Sequence, residues 1–155
     1  MKKITIIRHA QSHFNAGNYK TDEEIRNCRI TPYGVEQSKQ LHHSFDVLII
    51  SPLKRAMETY LNSNIKCRQL IMSELFREQK EDKPLNYLDF EEIKPESPED
   101  ARKRAREAIE FIKTIKSDNI GIISHGCFIW YLLEQVGQPP QPTHNCQAIQ
   151  FNILN

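Results

Sequence analysis

The stretch Ile120-Gly121-Ile122-Ile123-Ser124-His125-Gly126 combines an apolar run with a polar cluster that follows it directly. The apolar run predicts a buried strand, because β-branched side chains suit a sheet that is packed on both faces. The same order recurs near the start of the chain, where Ile4-Thr5-Ile6-Ile7 precedes Arg8-His9-Ala10. It recurs once more where Val47-Leu48-Ile49-Ile50 precedes a polar run that reaches Arg55.

The segments between and beyond these strands carry helix signals. Thr31-Pro32 predicts a helix that runs to about His43, and Ser51-Pro52 predicts one that runs to about Leu61, because each pair offers an N-cap hydroxyl followed by proline at the first helical position. A third helix is predicted from Ser97, with Asp100 at the acidic position of a capping box. Further predicted elements are a weaker strand at 69–72, a short apolar helix at 128–136 and an alternating final strand at 148–154.

Alternating strands and helices predict an α/β fold, a three-layer sandwich in which a mainly parallel sheet has helices on both faces. The alternating final strand suits one antiparallel edge strand. With 155 residues, we expect a single domain over 1–155, interrupted by a short irregular insert at about 79–97 that is rich in charge and proline.

Composition excludes several classes of protein. The net charge of +1 argues against a nucleic-acid partner. Four widely spaced cysteines form no CxxC or CxxH pair, so a zinc site is not expected, and they suit a reducing compartment. No other metal is expected either, because no carboxylate cluster with ligand spacing accompanies Arg8, Arg55 and His125, and no cofactor is expected. No apolar run has the length of a signal peptide or a membrane span, so we expect a cytoplasmic protein without a membrane partner.

The three polar clusters share a position in the predicted sheet. Ligands of open parallel sheets bind beyond the carboxyl ends of the strands. We therefore expect the clusters that contain Arg8, His9, Arg55 and His125 to lie together at one edge, although they are far apart in the chain. Each cluster by itself would suit a surface loop, and it is their shared placement that favours a functional site.

The content of these clusters resembles the histidine phosphatase superfamily, which has the phosphoglycerate-mutase-like fold. The family's Arg-His-Gly/Ala matches Arg8-His9-Ala10, its Ser-x-x-x-Arg-Ala-x-x-Thr matches the run from Ser51 to Thr59, and its Ser-His-Gly matches Ser124-His125-Gly126. A helix start of the family, Leu-Thr-x-x-Gly-x-x-Gln, is matched from Ile30 to Gln37. The short chain and Ala10 look most like the small phosphohistidine-phosphatase branch.

The resemblance implies a metal-independent phosphatase that hydrolyses phosphomonoesters or phosphohistidine through a phosphohistidine on His9. A neutral imidazole is a competent nucleophile near pH 7, and we expect a backbone carbonyl to orient it. Arg8, Arg55 and His125 would donate to the phosphoryl oxygens. Asn15 stands where many members bind phosphate with an asparagine, although a role in capping its own loop is equally consistent with the sequence.

The family's general acid is a glutamate that follows the third strand, and two residues are candidates here. Leu75-Phe76-Arg77-Glu78 resembles the family's Leu-Arg-Glu, so we choose Glu78 over Glu74. The following Gln79-Lys80-Glu81 departs from the family, because it lacks a glycine and a second acidic motif.

Two other functions remain as alternatives. One is a phosphoglycerate-mutase type of phosphoryl transfer, which is disfavoured because mutases of this fold use long insertions and only about 70 positions separate Arg55 from His125. The other is a non-catalytic module that binds a phospho-ligand, which would not require a nucleophile. As an enzyme, the protein would act on a small phosphorylated metabolite or a phosphoprotein.

We further expect Arg102-Lys103-Arg104 to lie on a solvated helix face, and Phe128 and Trp130 to lie in the core.

Overall fold

A computed structural model describes residues 1–21, 27–79, 85, 86, 92, 93 and 95–155 of the chain. The strands, numbered in chain order, are β1 (Lys2–Arg8), β2 (His42–Ile50), β3 (Asn64–Met72), β4 (Leu85–Asn86), β5 (Glu92–Ile93), β6 (Asn119–Ser124) and β7 (Ala148–Ile153). The α-helices are α1 (Pro32–Lys39), α2 (Lys54–Leu61), α3 (Pro98–Thr114) and α4 (Gly126–Gln135), and a 3₁₀ turn spans Glu74–Phe76.

Five strands form one sheet in the order β3-β2-β6-β1-β7. The first four are parallel neighbours, and β7 pairs antiparallel with β1 at the edge. In the register of the sheet, Ile123 of β6 lies between Ile7 of β1 and Ile50 of β2. The carboxyl ends of the three central strands therefore coincide, which confirms the fold class and brings the polar clusters to one edge.

Alternate side chains of the strands form two apolar layers. Ile4, Ile6 and Ile122 belong to a core that includes Ala108 and Ile112 of α3 and the apolar residues of α4. Ile7 and Ile123 belong to the opposite core, which includes Ala56 of α2. Gly121 permits close packing on this second side, because a Cβ there would lie 2.3 Å from the ring of Phe45. Helices thus cover both faces of the sheet, as predicted.

Two predicted helix boundaries are wrong. The first helix ends at Lys39 rather than near His43, because His42 and His43 pair with Asn64 and Ile65 of β3 and open β2. The second helix begins at Lys54 after Leu53, and Ser51 is not its N-cap. The hydroxyl of Ser51 instead contacts the ring of a histidine 74 positions away, which is described below.

The remaining elements agree with the prediction in kind and differ in extent. The strand that was expected at 69–72 begins at Asn64, and the last helix covers Gly126–Gln135 rather than 128–136. The capping box at Ser97 and Asp100 is confirmed, because each residue's side chain accepts from the backbone N–H of the other. The expected insert contains the β4–β5 pair, and its residues 80–84, 87–91 and 94 lie outside the described part of the chain.

Two expectations about burial are wrong as well. Trp130 is 39% exposed, because the buried face of α4 carries Phe128, Ile129, Leu132 and Leu133 instead. Arg104 is only 6% exposed, although its neighbours in the basic run of α3 lie nearer the solvent. None of the helices within the described residues combines the length and the apolar character needed to span a bilayer.

Candidate active site

His9 lies directly after β1 and is almost entirely buried. Its backbone N–H donates to Ser124 O of the neighbouring strand at 3.0 Å, which fixes the position of the residue. Its ring Nδ1 lies 2.6 Å from Ala10 O, so we assign Nδ1 as the donor of a hydrogen bond to that carbonyl. This assignment leaves the lone pair on Nε2, the nitrogen that a nucleophilic histidine needs to have free.

His125 follows β6 and is fully buried beside His9, with 5.1 Å between the two ring centroids. Its Nε2 lies 2.7 Å from Ser51 Oγ. Its Nδ1 is buried and has no hydrogen-bond partner within the described residues. One ring nitrogen is therefore anchored to the protein, and the other is available to a ligand.

Two arginines supply the positive charge of this site. Arg8 ends β1, and its Nη1 donates to Thr143 O, while its buried Nε has no partner among the described residues. Arg55 lies in the first turn of α2 and is nearly buried. Both guanidinium groups are close enough to His9 and His125 to disfavour protonation of the imidazoles. The predicted residues Arg8, His9, Arg55 and His125 therefore lie together.

Burial lowers the pKa of both histidines well below the usual 6.5, and the charge of Arg55 lowers it further. Desolvation penalises the charged imidazolium, and a neighbouring cation adds repulsion. Both rings are thus neutral at physiological pH. A neutral His9 has a nucleophilic lone pair, and a neutral His125 with its proton on Nδ1 is a hydrogen-bond donor for an anion.

The run from Ser51 to Thr59 places three contacts in one site. Ser51 contacts His125, Arg55 provides charge, and Thr59 Oγ1 accepts from the backbone N–H of Ala10 at 2.8 Å. Thr59 Oγ1 also donates to Arg55 O at 2.7 Å. Thr59 therefore ties the loop that carries the nucleophile to the helix that carries Arg55, which gives a physical reason for the spacing in this motif.

The helix α1 and its N-cap residue support the same loop. The backbone N–H of Gln11 donates to Gln37 Oε1 at 2.9 Å, and the N–H of Thr31 donates to Gln11 O at 2.9 Å. Thr31 also caps α1 by accepting from Gly34 N–H. A Cβ at Gly34 would lie 2.3 Å from Gln11 O, so only glycine permits this close approach. The helix α1 thus positions the loop that follows His9.

A turn before β7 holds the nucleophile from the other side. Asn145 Nδ2 donates to His9 O at 3.0 Å and to Asn15 Oδ1 at 3.2 Å. The N–H of Cys146 donates to Arg8 O at 2.9 Å, and Cys146 has a positive φ of 63°. Such a φ is uncommon for a residue with a side chain, and it indicates strain that the surrounding contacts maintain. Neither residue stands out in the sequence, since both act through contacts about 136 positions away.

Glu78 and Glu74 occupy different surroundings. The carboxylate of Glu78 accepts from the backbone N–H groups of Phe128 at 3.0 Å and Cys127 at 3.3 Å, so it caps the N-terminus of α4 directly after His125. Burial lowers the pKa of Arg8, and the charge of Glu78 partly offsets this effect. Glu74 instead lines an open cavity of about 530 Å³ that contains none of the predicted site residues.

Asn15 is exposed, and its Oδ1 caps its own loop. It accepts from the N–H of Ser12 at 3.1 Å, from the hydroxyl of Ser12 at 3.0 Å and from Asn145. These contacts account for the capping role that the sequence left open. They also orient the carboxamide so that Nδ2, its only donor group, is on the side away from these three contacts.

No group of three or more His, Cys, Asp or Glu side chains within the described residues has the arrangement of a metal site. The described site thus consists of two neutral histidines, two arginines and one carboxylate. Such a set is complementary to a phosphoryl group, because planar donors and cations match its oxygens.

The chain belongs to the histidine phosphatase superfamily, branch 1, whose family model matches residues 72–152. The chain is therefore an enzyme of the histidine phosphatase class. A protein of Hydrogenobacter thermophilus, described as a candidate phosphoserine phosphatase 2, is 29% identical to it, and the alignment covers 81% of this chain and 74% of that protein.

Solved structures show the same fold. An open-reading-frame product of Mycobacterium tuberculosis has a TM-score of 0.69 at 14% identity, covering 99% of this chain and 96% of its own. A mutant phosphoserine phosphatase of Entamoeba histolytica, solved with phosphoserine, has a TM-score of 0.66 at 18% identity, covering 97% and 90%. A mycobacterial glucosyl-3-phosphoglycerate phosphatase has a TM-score of 0.65 at 14% identity, also covering 97% and 90%.

Proposed function

We propose that the protein is a metal-independent phosphatase that hydrolyses phosphomonoesters or phosphohistidine through a covalent phosphohistidine on His9. The observation that carries this proposal is the Nδ1 contact of His9 with Ala10 O, beside two arginines and His125. It leaves a neutral ring with Nε2 as the attacking atom. A site that only bound a phospho-ligand would not need a deprotonated nucleophile in this position.

In the first step, His9 Nε2 attacks phosphorus, the P–N bond forms and the bond from phosphorus to the leaving oxygen breaks. Charge on the phosphoryl oxygens is neutralised by Arg8 and Arg55, and His125 donates from Nδ1. Asn15 contributes a further donor through Nδ2. Glu78, in its protonated form, transfers a proton to the leaving oxygen, so that an alcohol departs.

In the second step, water attacks the same phosphorus from the side that the alcohol vacated. Glu78, now a carboxylate, accepts a proton from the water, and the P–N bond breaks. Inorganic phosphate leaves, and His9 returns to its neutral form. The position of Glu78 at the N-terminus of α4, next to His125, supports this assignment over Glu74.

The substrate that we propose is a small phosphorylated metabolite or a phosphoprotein. The relatives that are named for phosphoserine or glucosyl-3-phosphoglycerate support the first class. A phosphoramidate such as phosphohistidine remains a substrate that needs less help from an acid, because its leaving nitrogen departs more readily. A panel of phosphoserine, p-nitrophenyl phosphate and a phosphohistidine protein distinguishes these classes by kcat/KM.

The experiment that tests the mechanism is rapid quenching with radiolabelled p-nitrophenyl phosphate. We expect a phosphoenzyme that is labile to acid and stable to base, and we expect His9→Ala to abolish both this species and turnover. His13→Ala is the matched control, because His13 lies in the same loop and contacts Arg29 through its backbone rather than through its ring. A phosphoenzyme that persists in His9→Ala would overturn the proposal.

A further inference from the structure

A buried ion pair lies next to the segment that leads to Glu78, the candidate general acid. Arg104 of α3 donates through Nε and Nη2 to the two carboxylate oxygens of Glu96, at 2.9 and 2.8 Å. Both side chains are nearly inaccessible to solvent, so the pair is bidentate and desolvated. The neighbouring Arg77 adds a longer ion pair to the same carboxylate at 3.3 Å.

The remaining donor group of Arg104 is directed at the segment that leads to Glu78. Its Nη1 donates to Leu75 O and to Arg77 O, each at 2.9 Å. Between these two carbonyls, Phe76 O accepts from the hydroxyl of Ser124 at 2.7 Å. Three consecutive backbone carbonyls immediately before Glu78 are therefore held by side chains.

The same guanidinium also contacts the other side of the Glu78 site. Its Cζ lies 4.4 Å from the ring centroid of Phe128, in cation–π geometry. Phe128 is the residue whose backbone N–H donates to Glu78 Oε1. Arg104 thus touches both the segment that carries the carboxylate and the helix turn that binds it.

We infer that Arg104, anchored by Glu96, is a positioning residue that holds Glu78 in place for proton transfer. This inference rests on the proposed function, in which Glu78 is the general acid and base. An apolar pair of the same volume could fill the space with similar or greater stability, but it would bind neither carbonyl. The contacts of Arg104 therefore bear on the geometry of the acid, and small displacements of a catalytic group are costly to rate.

A double-mutant cycle tests the inference. Arg104→Met should reduce kcat/KM for phosphoserine, an alkyl ester, by about tenfold to a hundredfold, and should reduce it for p-nitrophenyl phosphate by less than about threefold. In a Glu78→Gln background the same substitution should have almost no further effect on phosphoserine, because the group that it positions is gone. Arg102→Met is the matched control, since Arg102 lies on the same helix and pairs with Glu134 instead.

The outcomes separate the positioning role from a structural one and from failure of the proposed function. Equal losses on both substrates, or a full additional loss in the Glu78→Gln background, would overturn the inference. If Glu78→Gln itself shows no dependence on the leaving group, it is the assignment of the acid in the proposed function that fails. Should Arg104→Met not fold, the Arg104→Met/Glu96→Gln protein, which removes both charges of the bidentate pair, is measured against Glu96→Gln with the same expected and overturning results.

Discussion

Removing the hydroxyl of Ser51 should impair catalysis more than it impairs folding. Ser51 Oγ lies 2.7 Å from His125 Nε2 and accepts from the N–H of Leu53 at 3.3 Å. We assign the hydroxyl as donor to Nε2, which places the ring proton of the neutral His125 on Nδ1, where no group of the described residues binds it. In Ser51→Ala the proton is free to move to Nε2, and Nδ1 would then present a lone pair to the phosphoryl oxygens.

The magnitude follows from the burial of both partners. Ser51 and His125 are fully inaccessible, so the change leaves a buried ring nitrogen without a partner, at a cost of about 1–3 kcal/mol. In the transition state the unsatisfied group is Nδ1, which would face the phosphoryl oxygens with a lone pair instead of a proton. A loss of about 1–3 kcal/mol at this contact decreases kcat/KM by about 5-fold to 150-fold, since about 1.4 kcal/mol corresponds to a factor of ten. The decrease should affect alkyl and aryl phosphates alike, because His125 contacts the transferred group and not the leaving group.

The assay is steady-state hydrolysis of p-nitrophenyl phosphate and phosphoserine, with urea denaturation to measure the free energy of unfolding. Ser38→Ala is the matched control, because Ser38 is equally buried and its hydroxyl donates to Gly34 O at 2.9 Å. The control should lose stability while retaining kcat/KM. A Ser51→Ala protein whose kcat/KM stays within about twofold of the wild type would contradict the assignment of the His125 tautomer.

Four further predictions concern the acid, the turn before β7, pH and metal. Glu78→Gln should slow hydrolysis of phosphoserine by about a hundredfold or more and that of p-nitrophenyl phosphate much less, while Glu74→Gln changes both little; the reverse pattern in steady-state kinetics would assign the acid to Glu74. Asn145→Ala, which removes donors to His9 O and to the loop carboxamide, should lower kcat/KM by about tenfold, and kinetics unchanged from the wild type would contradict this. Burial holds the pKa of His9 and His125 well below 6.5, so the unfolded chain binds more protons in acid than the folded chain does. The free energy of unfolding should therefore be fully retained above pH 6.5 and should fall below it, by at most about 1.4 kcal/mol per pH unit for each histidine. Urea titrations at several pH values check this, and a free energy of unfolding that rises on acidification would contradict it. Activity should be unchanged after dialysis against EDTA, and restoration of lost activity by a divalent ion would show that a metal takes part.

Local patterns in the sequence were sufficient for the class of fold. The apolar runs that end at Arg8, at Ser51 and at Ser124 predict buried strands, and the rule that ligands bind at the carboxyl ends of parallel strands predicts that the clusters meet. The register of β1, β2 and β6 agrees with this prediction, and the ring centroids of His9 and His125 lie 5.1 Å apart. Such a prediction succeeds because strand burial and helix capping depend on residues that are close in the chain.

Other features depended on contacts that no local pattern contains. Ser51 has the sequence of an N-cap, yet its hydroxyl contacts the buried ring of His125, and α2 begins after Leu53 without a side-chain cap. A buried ring nitrogen needs a partner within the protein, whereas the end of a helix can be satisfied in other ways. His42 and His43 continue a helical pattern, yet pairing with β3 makes them part of a strand. In both cases contacts with a distant part of the chain outweigh a local preference, which is worth about 0.5–2 kcal/mol for an N-cap and less than about 1 kcal/mol per residue for helix propensity.

Local sequence patterns are thus sufficient to predict the order of the main elements, the helices on both faces of the sheet and the residues that meet at its edge. The hydrogen bonds of the folded chain, in contrast, establish which nitrogen of each histidine is held, that Asn145 contacts the carbonyl of His9, and that Arg104 is buried against Glu96 rather than solvated. The physical reason is that periodicity reports which face of an element is apolar, whereas a polar group is buried only where distant parts of the chain supply its partners.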